Sequence, residues 1–458
     1  MRILHTNAAY WPFVGGAETY LRAMSERLAR DGHDVVVAAT DATSVQSFWD
    51  PRQPRLPDRE TALNGVRVIR SPVSHLPVSP WSFYILRRLA TDLSRLPLDT
   101  LPLFDRLAPL MPGVPALEQT LEQIQPGFDL IHGINVALEW PLIAGWRYAR
   151  RHGLPFVATP FLHAGGPKVQ RYYTMPHQLA TLRDADRVIV QTGIEGQILT
   201  GLGVPQERIV RLGMGVNLEE TRGGDGARFR AQHGIDGPVV TFMGVLTDDK
   251  GIVHLLRAMQ RLWGRGSNAS VVIAGRPMVP STFERAYAGL PEDQRLRTRR
   301  LGLVGGQLKQ DMLAATDLFA MPSRIDSFGI VYLEAWAYGV PVIGCHAGGV
   351  PDVIDDGQDG VLVEYGDEAG LATAIEGLLV DPERRRVMGR QGRAKVEAHY
   401  TWDRIYRGLA EVYQELTEIS VRGVDAGRGR RESTAPGLLC REGPGLLCRD
   451  GADHASGH

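Results

Sequence analysis

Two doubly wound α/β units in tandem are what the alternation of short apolar runs with amphipathic helical stretches predicts along most of this chain. Three observations carry that expectation. The chain begins with a strand-like run at 3–6, turns through Gly15 and Gly16, and enters a helical stretch with Ala17, Tyr20, Leu21, Met24 and Leu28 on one face, followed by Val35, Val36 and Val37. Near Pro238 the alternation starts again and gives six apolar runs, at 239–244, 271–274, 301–304, 318–321, 340–343 and 361–363, separated by helical segments. Residues 318–351, LFAMPSRIDSFGIVYLEAWAYGVPVIGCHAGGVP, compress strand, polar loop, helix and strand into one unit, with Gly339 stopping the helix.

Within the first unit, 41–63 is polar and proline-rich and reads as a loop, after which Asn64 and Gly65 turn the chain into a strand at 66–70. Residues 78–116 mix aromatics, leucines, arginines and prolines, which suggests short amphipathic helices set apart from the sheet. Two readings stand for them: a helical cover on the core, or a surface that meets an acceptor or a membrane. Alternation resumes with a strand at 128–131, a helix near 136–150 and a strand at 156–159, whose following loop at 160–168 carries His163 toward the ligand edge. Further strands fall at 188–190 and 209–210. Asp184 and Asp186 precede a strand start, the edge away from ligands, so a metal role for them is rejected.

The seam between the units is expected near 213–237, a run of glycines and polar residues, and a final amphipathic helix at 402–419. These readings divide the chain into 1–215, 216–399, a helix at 400–420 and a tail at 421–458. The tail is rich in Gly, Arg and Ser and repeats PGLLCREG as PGLLCRDG, a composition that predicts disorder.

At 458 residues, with 43% apolar and 22% charged residues, the composition is that of a globular protein of two or three domains. Lys plus Arg number 51 and Asp plus Glu 52, a balance that gives no bulk attraction for nucleic acid or an anionic membrane. The opening residues read as a strand, not a signal peptide, and no apolar run is long enough to span a bilayer, so a cytoplasmic location is expected. Three cysteines, two of them in the tail, make neither a disulfide framework nor a zinc site.

The chemistry concentrates at 326–334. Asp326 lies in the loop beyond a strand's carboxyl end, and Glu334 one to two turns into the next helix. The amides of Phe328, Gly329 and Ile330 are orphan donors at that helix's N-terminus and attract phosphate or sugar oxygens. A carboxylate beside them suits sugar hydroxyls, which donate to it. The plainer alternative makes Asp326 a helix cap and Glu334 a solvated residue. Gly15 and Gly16 lack the GxGxxG spacing of a dinucleotide site and read alone as a turn, with Glu18 complementing the helix dipole.

With these segments in place, residues 1 to about 418 resemble glycosyltransferase family 4, retaining nucleotide-sugar enzymes of GT-B architecture with two facing Rossmann-like domains. The resemblance rests on ordered motifs: GGAE from Gly15, GHDVVV from Gly32, DKG at 249–251, DSFGIVYLE at 326–334, and GGVPDVI from Gly348. It implies transfer of a hexosyl unit from a UDP- or GDP-sugar to a hydroxyl acceptor, with configuration retained and no metal or other cofactor. Lys250 would hold the diphosphate, Asp326 the donor sugar's hydroxyls and Glu334 the ribose. Phe328, Gly329 and Ile330 would supply backbone contacts, Gly15 and Gly16 would approach the phosphates, and His163 would lie near sugar and acceptor. Gly244 and Val304, at strand ends on the ligand edge, join the donor-binding set, and the C-terminal helix would cross back onto the first domain.

This sequence departs from the family's pattern in two places. Val245 stands where an arginine usually precedes the lysine by five residues, and Asp326 stands in place of a glutamate. Arg276, also on the ligand edge, is expected to compensate for the missing cation. Two other functions share the architecture: a nucleotide-sugar 2-epimerase, and a binding protein that has lost activity.

Overall fold

The computed structural model describes residues 1–277 and 282–431. Its first sheet contains β1 (Arg2–Thr6), β2 (Asp34–Thr40), β3 (Glu60–Leu63), β4 (Val66–Ser71), β5 (Leu130–Ile134), β6 (Phe156–Thr159), β7 (Arg187–Val190) and β8 (Ile209–Arg211). They lie in the order β3-β4-β2-β1-β5-β6-β7-β8. Every neighbouring pair is parallel except β3 with β4. The second sheet holds β9 (Val239–Met243), β10 (Ser270–Ala274), β11 (Thr298–Gly302), β12 (Leu318–Ala320), β13 (Val342–Cys345) and β14 (Gly360–Val363). Its order is β11-β10-β9-β12-β13-β14, parallel throughout.

Each sheet is wound in two directions from its first strand. The chain moves outward from β1 to β2 and β4, then returns to place β5 on the other side; β9, β10, β11 and then β12 repeat the manoeuvre. Crevices open at such switch points beyond the strands' carboxyl ends. The loops after β1, β9 and β12 carry Gly15 and Gly16, Lys250, and Asp326 respectively. Fully buried strands such as β9 and β10 follow from continuous apolar runs, since helices cover both faces.

The helices that matter for the site are α1 (Gly16–Arg30), α2 (Trp81–Leu93), α3 (Trp140–His152), α4 (Gly193–Gly201), α5 (Ile330–Ala337), α6 (Pro382–His399) and α7 (Trp402–Arg431). The face of α1 that carries Tyr20, Leu21, Met24 and Leu28 is buried, as its spacing requires. From its start, α7 lies on the first sheet. Tyr413 Oη sits 3.0 Å from His5 Nε2 and 2.5 Å from His132 Nδ1, inside the core. Arg27 pairs with Asp403 at 2.8 Å, Tyr406 donates to Asp31, and Arg187 pairs with Glu415. The return of the C-terminal helix is thus fastened by a buried polar network as well as by apolar contact.

Several boundaries differ from the sequence reading, each for a local reason. The stretch 41–63 is not all loop: β3 pairs antiparallel with β4 across Asn64 and Gly65, both at positive φ. As an outer strand with alternating exposure, β3 carries too few apolar residues to announce itself. The run at 301–304 is displaced to β11, again an outer strand, whose Arg299 and Arg300 broke the apolar pattern; Val304 therefore follows the strand instead of ending it. The strands expected at 128–131 and 340–343 are Leu130–Ile134 and Val342–Cys345, the second beginning only after Pro341. The helix near 136–150 runs from Trp140 to His152. The polar run 219–237 holds the helix Gly226–His233, fixed to the second sheet by Arg230 to Asp317 and by buried Phe229. Past 419, α7 continues to Arg431, into the expected tail; the remainder of that tail, 432–458 with its repeat, lies outside the described residues.

Residues 78–116 form α2 and the helix Leu101–Leu107. Their inner side buries Ala90, Phe104 and Met111 against Met175, and Arg87 reaches in to buried Glu139. On the outer side Trp81, Ile85 and Leu89, at i, i+4 and i+8, are 70%, 58% and 54% exposed. The segment is a cover on one face and an unpartnered apolar stripe on the other. Among the described residues no helix is long and apolar enough to cross a membrane.

Candidate active site

The site is assembled by glycines that let three loops touch. After β9, Gly244 donates its amide to Ala274 O at 2.9 Å, and a Cβ on Gly275 would sit 1.8 Å from Gly244 O. The chain continues past exposed Val245 to the turn Asp248–Lys250, closed by Gly251 at φ 78°. A Cβ on Gly251 would lie 2.1 Å from Pro322 O, so glycine brings this turn against the loop after β12. Asp249 O accepts from Arg324 N at 2.9 Å and its carboxylate pairs with the Arg324 side chain at 2.6 Å.

That docking places Lys250 Nζ 2.5 Å from Asp326 Oδ1. The other oxygen, Asp326 Oδ2, is buried and has no hydrogen-bond partner among the described residues. Burial works to raise the Asp326 pKa, but the Lys250 ammonium, aided by smaller effects of the Ser323 hydroxyl beside the carboxylate and of His163, brings it below the ordinary carboxylate range. An ionised carboxylate with one oxygen on a cation and one buried oxygen free is a ready acceptor for a hydroxyl. Asp326 does not cap α5: the cap position is Gly329 at φ 84°, and no side chain bonds there. A third loop fixes the backbone of Asp326, since Gly349 N donates to the Asp326 carbonyl oxygen at 2.8 Å and a Cβ on Gly348 would approach that oxygen to 2.3 Å. The glycines of GGVPDVI therefore serve this contact.

Further along α5, Glu334 Oε1 accepts from Lys309 Nζ at 2.7 Å, so it is paired and not simply solvated. Phe328 is buried, with its ring edge-on to Tyr400 at 5.5 Å. Ile330 opens the helix. Arg276, just beyond β10, is exposed and has no side-chain partner among the described residues. Val304 is half-buried against the core of the second sheet, in the short connection between β11 and the helix Gly306–Ala315.

From the first sheet, His163 reaches across to the same place. Its Nδ1 donates to Ile325 O at 2.6 Å, next to Asp326 in sequence, which leaves Nε2 as the acceptor nitrogen. Burial lowers its pKa, and the Lys250 charge adds to that, so the ring is neutral at pH 7. Its loop is held by Glu195, whose Oε1 accepts from Leu162 N and Oε2 from Gln191 N, both at 2.7 Å. Burial pushes Glu195 up to about 7. Gly15 and Gly16 begin α1, where a Cβ on Gly15 would come within 2.3 Å of Glu18 Oε2 and one on Gly16 would meet nothing within 4 Å. Glu18 does more than face the dipole: it is buried, accepts from Asn7 at 3.2 Å, and is also pushed up to about 7 by burial.

The structure thus brings Lys250, Asp326 and His163 together and sets Glu334 on the helix that follows. Lys309 and Glu195 went unnoticed in the sequence, because a lysine or a first-turn glutamate on an amphipathic helix carries no signal until the fold aims it. Asp184 and Asp186 are both engaged by Arg150, at 2.6 and 3.0 Å. Among the described residues no group of three or more His, Cys, Asp or Glu side chains is placed to hold a metal ion.

Comparison with known proteins bears on this arrangement. The family described as "Glycosyl transferases group 1" matches residues 225–395, and "Glycosyl transferase 4-like domain" matches 15–215. The chain is 30% identical over 391 residues to a D-inositol 3-phosphate glycosyltransferase of Nocardia farcinica, covering 81% of this chain and 86% of the relative. It is 29% identical over 422 residues to one of Saccharomonospora viridis, covering 88% and 89%. Among solved structures, sucrose-phosphate synthase from Thermosynechococcus elongatus superposes with a TM-score of 0.68 at 23% identity, covering 91% of this chain and 99% of that one. HepE of Anabaena, crystallised with UDP-glucose, gives 0.67 at 19% identity, covering 91% and 100%. Both share the two-domain fold.

Proposed function

Because the chain belongs to glycosyltransferase family 4 and has the GT-B architecture, we propose that it moves a hexosyl unit from a UDP- or GDP-sugar to a hydroxyl acceptor, with retention and without a metal ion. The observation that carries this reading is the Lys250 to Asp326 pair, with one buried Asp326 oxygen left free. In this mechanism the donor's hydroxyls donate to Asp326 Oδ2, and its diphosphate draws Lys250 toward itself. The bond between C1 and the diphosphate oxygen breaks as the acceptor oxygen bonds to C1 on the same face. The acceptor's proton passes to the departing diphosphate, whose growing charge Lys250 and the amides of Phe328, Gly329 and Ile330 stabilise. Gly16, open on its side-chain position, gives the phosphates room to approach backbone; Gly15 and Gly244 shape the neighbouring turns, and Val304 lines the donor edge. Glu334 accepts from the ribose, and Arg276 adds the cation that Val245 does not supply. His163 Nε2 accepts from a hydroxyl of sugar or acceptor.

Relatives bear the name D-inositol 3-phosphate glycosyltransferase, and a solved neighbour was crystallised with UDP-glucose; both support a nucleotide-sugar donor and a polyhydroxyl acceptor. The outward stripe of Trp81, Ile85 and Leu89 supports peripheral contact of residues 78–116 with a membrane at the acceptor side. Sedimentation with anionic vesicles checks this: wild type should co-sediment and Ile85→Ser/Leu89→Ser should not, whereas equal partitioning removes the membrane from the reading.

The test of the main reaction is incubation with a panel of UDP- and GDP-hexoses, with and without sugar acceptors. Release of the nucleoside diphosphate and an anomeric NMR signal of retained configuration are expected. A C2 epimer formed from donor alone would favour the epimerase reading, and donor binding without turnover on any acceptor or water would favour the inactive one.

A further inference from the structure

We propose that a phosphate-bearing anion binds at the hinge of the two lobes, between the guanidinium groups of Arg211, Arg404 and Arg407. Arg211 ends the last strand of the first sheet, His399 ends α6, and Arg404 and Arg407 stand in the first two turns of α7. Two adjoining cavities of about 320 and 410 Å³ lie here, and Arg211, Leu212, His399 and Arg404 line both. Volumes of this size accommodate a small phosphorylated molecule.

The unpaired guanidinium groups point to an anion. Neither Arg211 nor Arg404 has a side-chain partner among the described residues, and Arg407 donates only to Asp403 O at 3.4 Å. Three carboxylates share the walls: Asp355 pairs with Lys395 at 2.8 Å, Asp352 Oδ2 accepts from Ile194 N at 2.7 Å and keeps its charge, and Glu411 has no side-chain partner among the described residues. Three arginines from two separate elements thus line the cavities with no carboxylate in an ion pair with any of them among the described residues. Planar guanidinium groups bind phosphate oxygens in pairs, which a point charge such as lysine cannot do.

The position is distinct from the Lys250 site. Gly213, two residues beyond Arg211 at φ 85°, leaves its side-chain space to Tyr400 and Phe328, whose rings lie 3.4 and 3.5 Å from where a Cβ would stand. Tyr400 also lines the second cavity. The anion site therefore abuts the strap between α6 and α7 and neighbours Phe328, while Lys250, Asp326 and Glu334 line neither cavity.

Thermal melts of the full chain with inorganic phosphate or glycerol 3-phosphate, at ionic strength held constant with sodium chloride, test the site. Either probe should raise Tm in wild type and in Lys250→Ala alike. In Arg404→Ala/Arg407→Ala the half-effective concentration should rise by roughly tenfold or more. Arg211→Ala, on the opposite wall, should do the same and carries the test if the double variant does not fold. A response to phosphate but not to the ester identifies free phosphate as the ligand, and the reverse identifies the ester. Loss of the response in Lys250→Ala, an unchanged response in the arginine variants, or no response in wild type overturns the proposal.

Discussion

The two lobes meet the cleft with opposite electrostatics. On the second lobe, charges stand in close pairs at the ligand edge, Lys250 with Asp326 at 2.5 Å and Lys309 with Glu334 at 2.7 Å. On the first lobe, the ionisable groups near that edge are buried and drawn toward their neutral forms: His163 is shifted down by burial, and Glu18 and Glu195 are shifted up to about 7. The contrast teaches where charge is handled. Paired charges can exchange partners with an incoming diphosphate, whereas desolvated neutral groups present hydrogen bonds without competing for it.

The sharpest way to break this division is to compare truncations across the cleft. Lys250→Ala should lower kcat/KM by on the order of a hundredfold to a thousandfold, because it removes transition-state charge stabilisation. His163→Ala should cost less, about tenfold, in steady-state assays with the same donor. Equal losses in the two would mean that the first lobe shares the charge work. Next in size, Glu334→Gln should raise the donor KM by about tenfold with kcat nearly unchanged, the pattern of a group that binds ground state and transition state alike. A fall in kcat of the same size would move Glu334 from binding into chemistry. Arg276→Ala should have the smallest kinetic effect, a few-fold in donor KM, because an exposed cation is screened by solvent. No change at all would remove it as the substitute for the missing arginine.

Stability against pH sharpens the same comparison. His5, lowered to about 3, and His132 bind protons in the unfolded chain near pH 6.5 but not in the fold, so stability falls as pH drops from 6.5 toward 3. Glu18 and Glu195 act in the other sense: the fold keeps their protons up to about 7 while the unfolded chain loses them near 4.5, so stability falls as pH rises through that window. Chemical denaturation at pH 5, 6 and 7 should show the opposed slopes partly cancelling in wild type. Glu18→Gln should steepen the loss on acidification; an unchanged slope would mean that Glu18 ionises freely in the fold. Asp326, with its pKa lowered, contributes stability that is present above the ordinary carboxylate range and is lost as pH falls through that range and below it.

Much of this protein was legible in the sequence because local rules generate it. Apolar runs bounded by glycine and proline gave the parallel strands, helical spacing gave the buried face of α1, and the placement of Asp326 beyond a strand's carboxyl end gave the ligand edge. The outer strand β3 escaped and β11 begins before its apolar run, since a strand with one neighbour and one wet face needs little apolar content. What the sequence by itself determined was the alternation of strands and helices and that Lys250 and Asp326 stand in loops beyond strands' carboxyl ends. Only the tertiary structure decided that Gly251 and Gly348 bring separate loops to Asp326, that Lys309 turns to Glu334, and that Tyr413 closes α7 onto His5 and His132. Those contacts join residues from 25 to 408 positions apart, apart from the loop approaches at Asp326, and distance along a chain carries no information on approach until the sheets fix the loops in space.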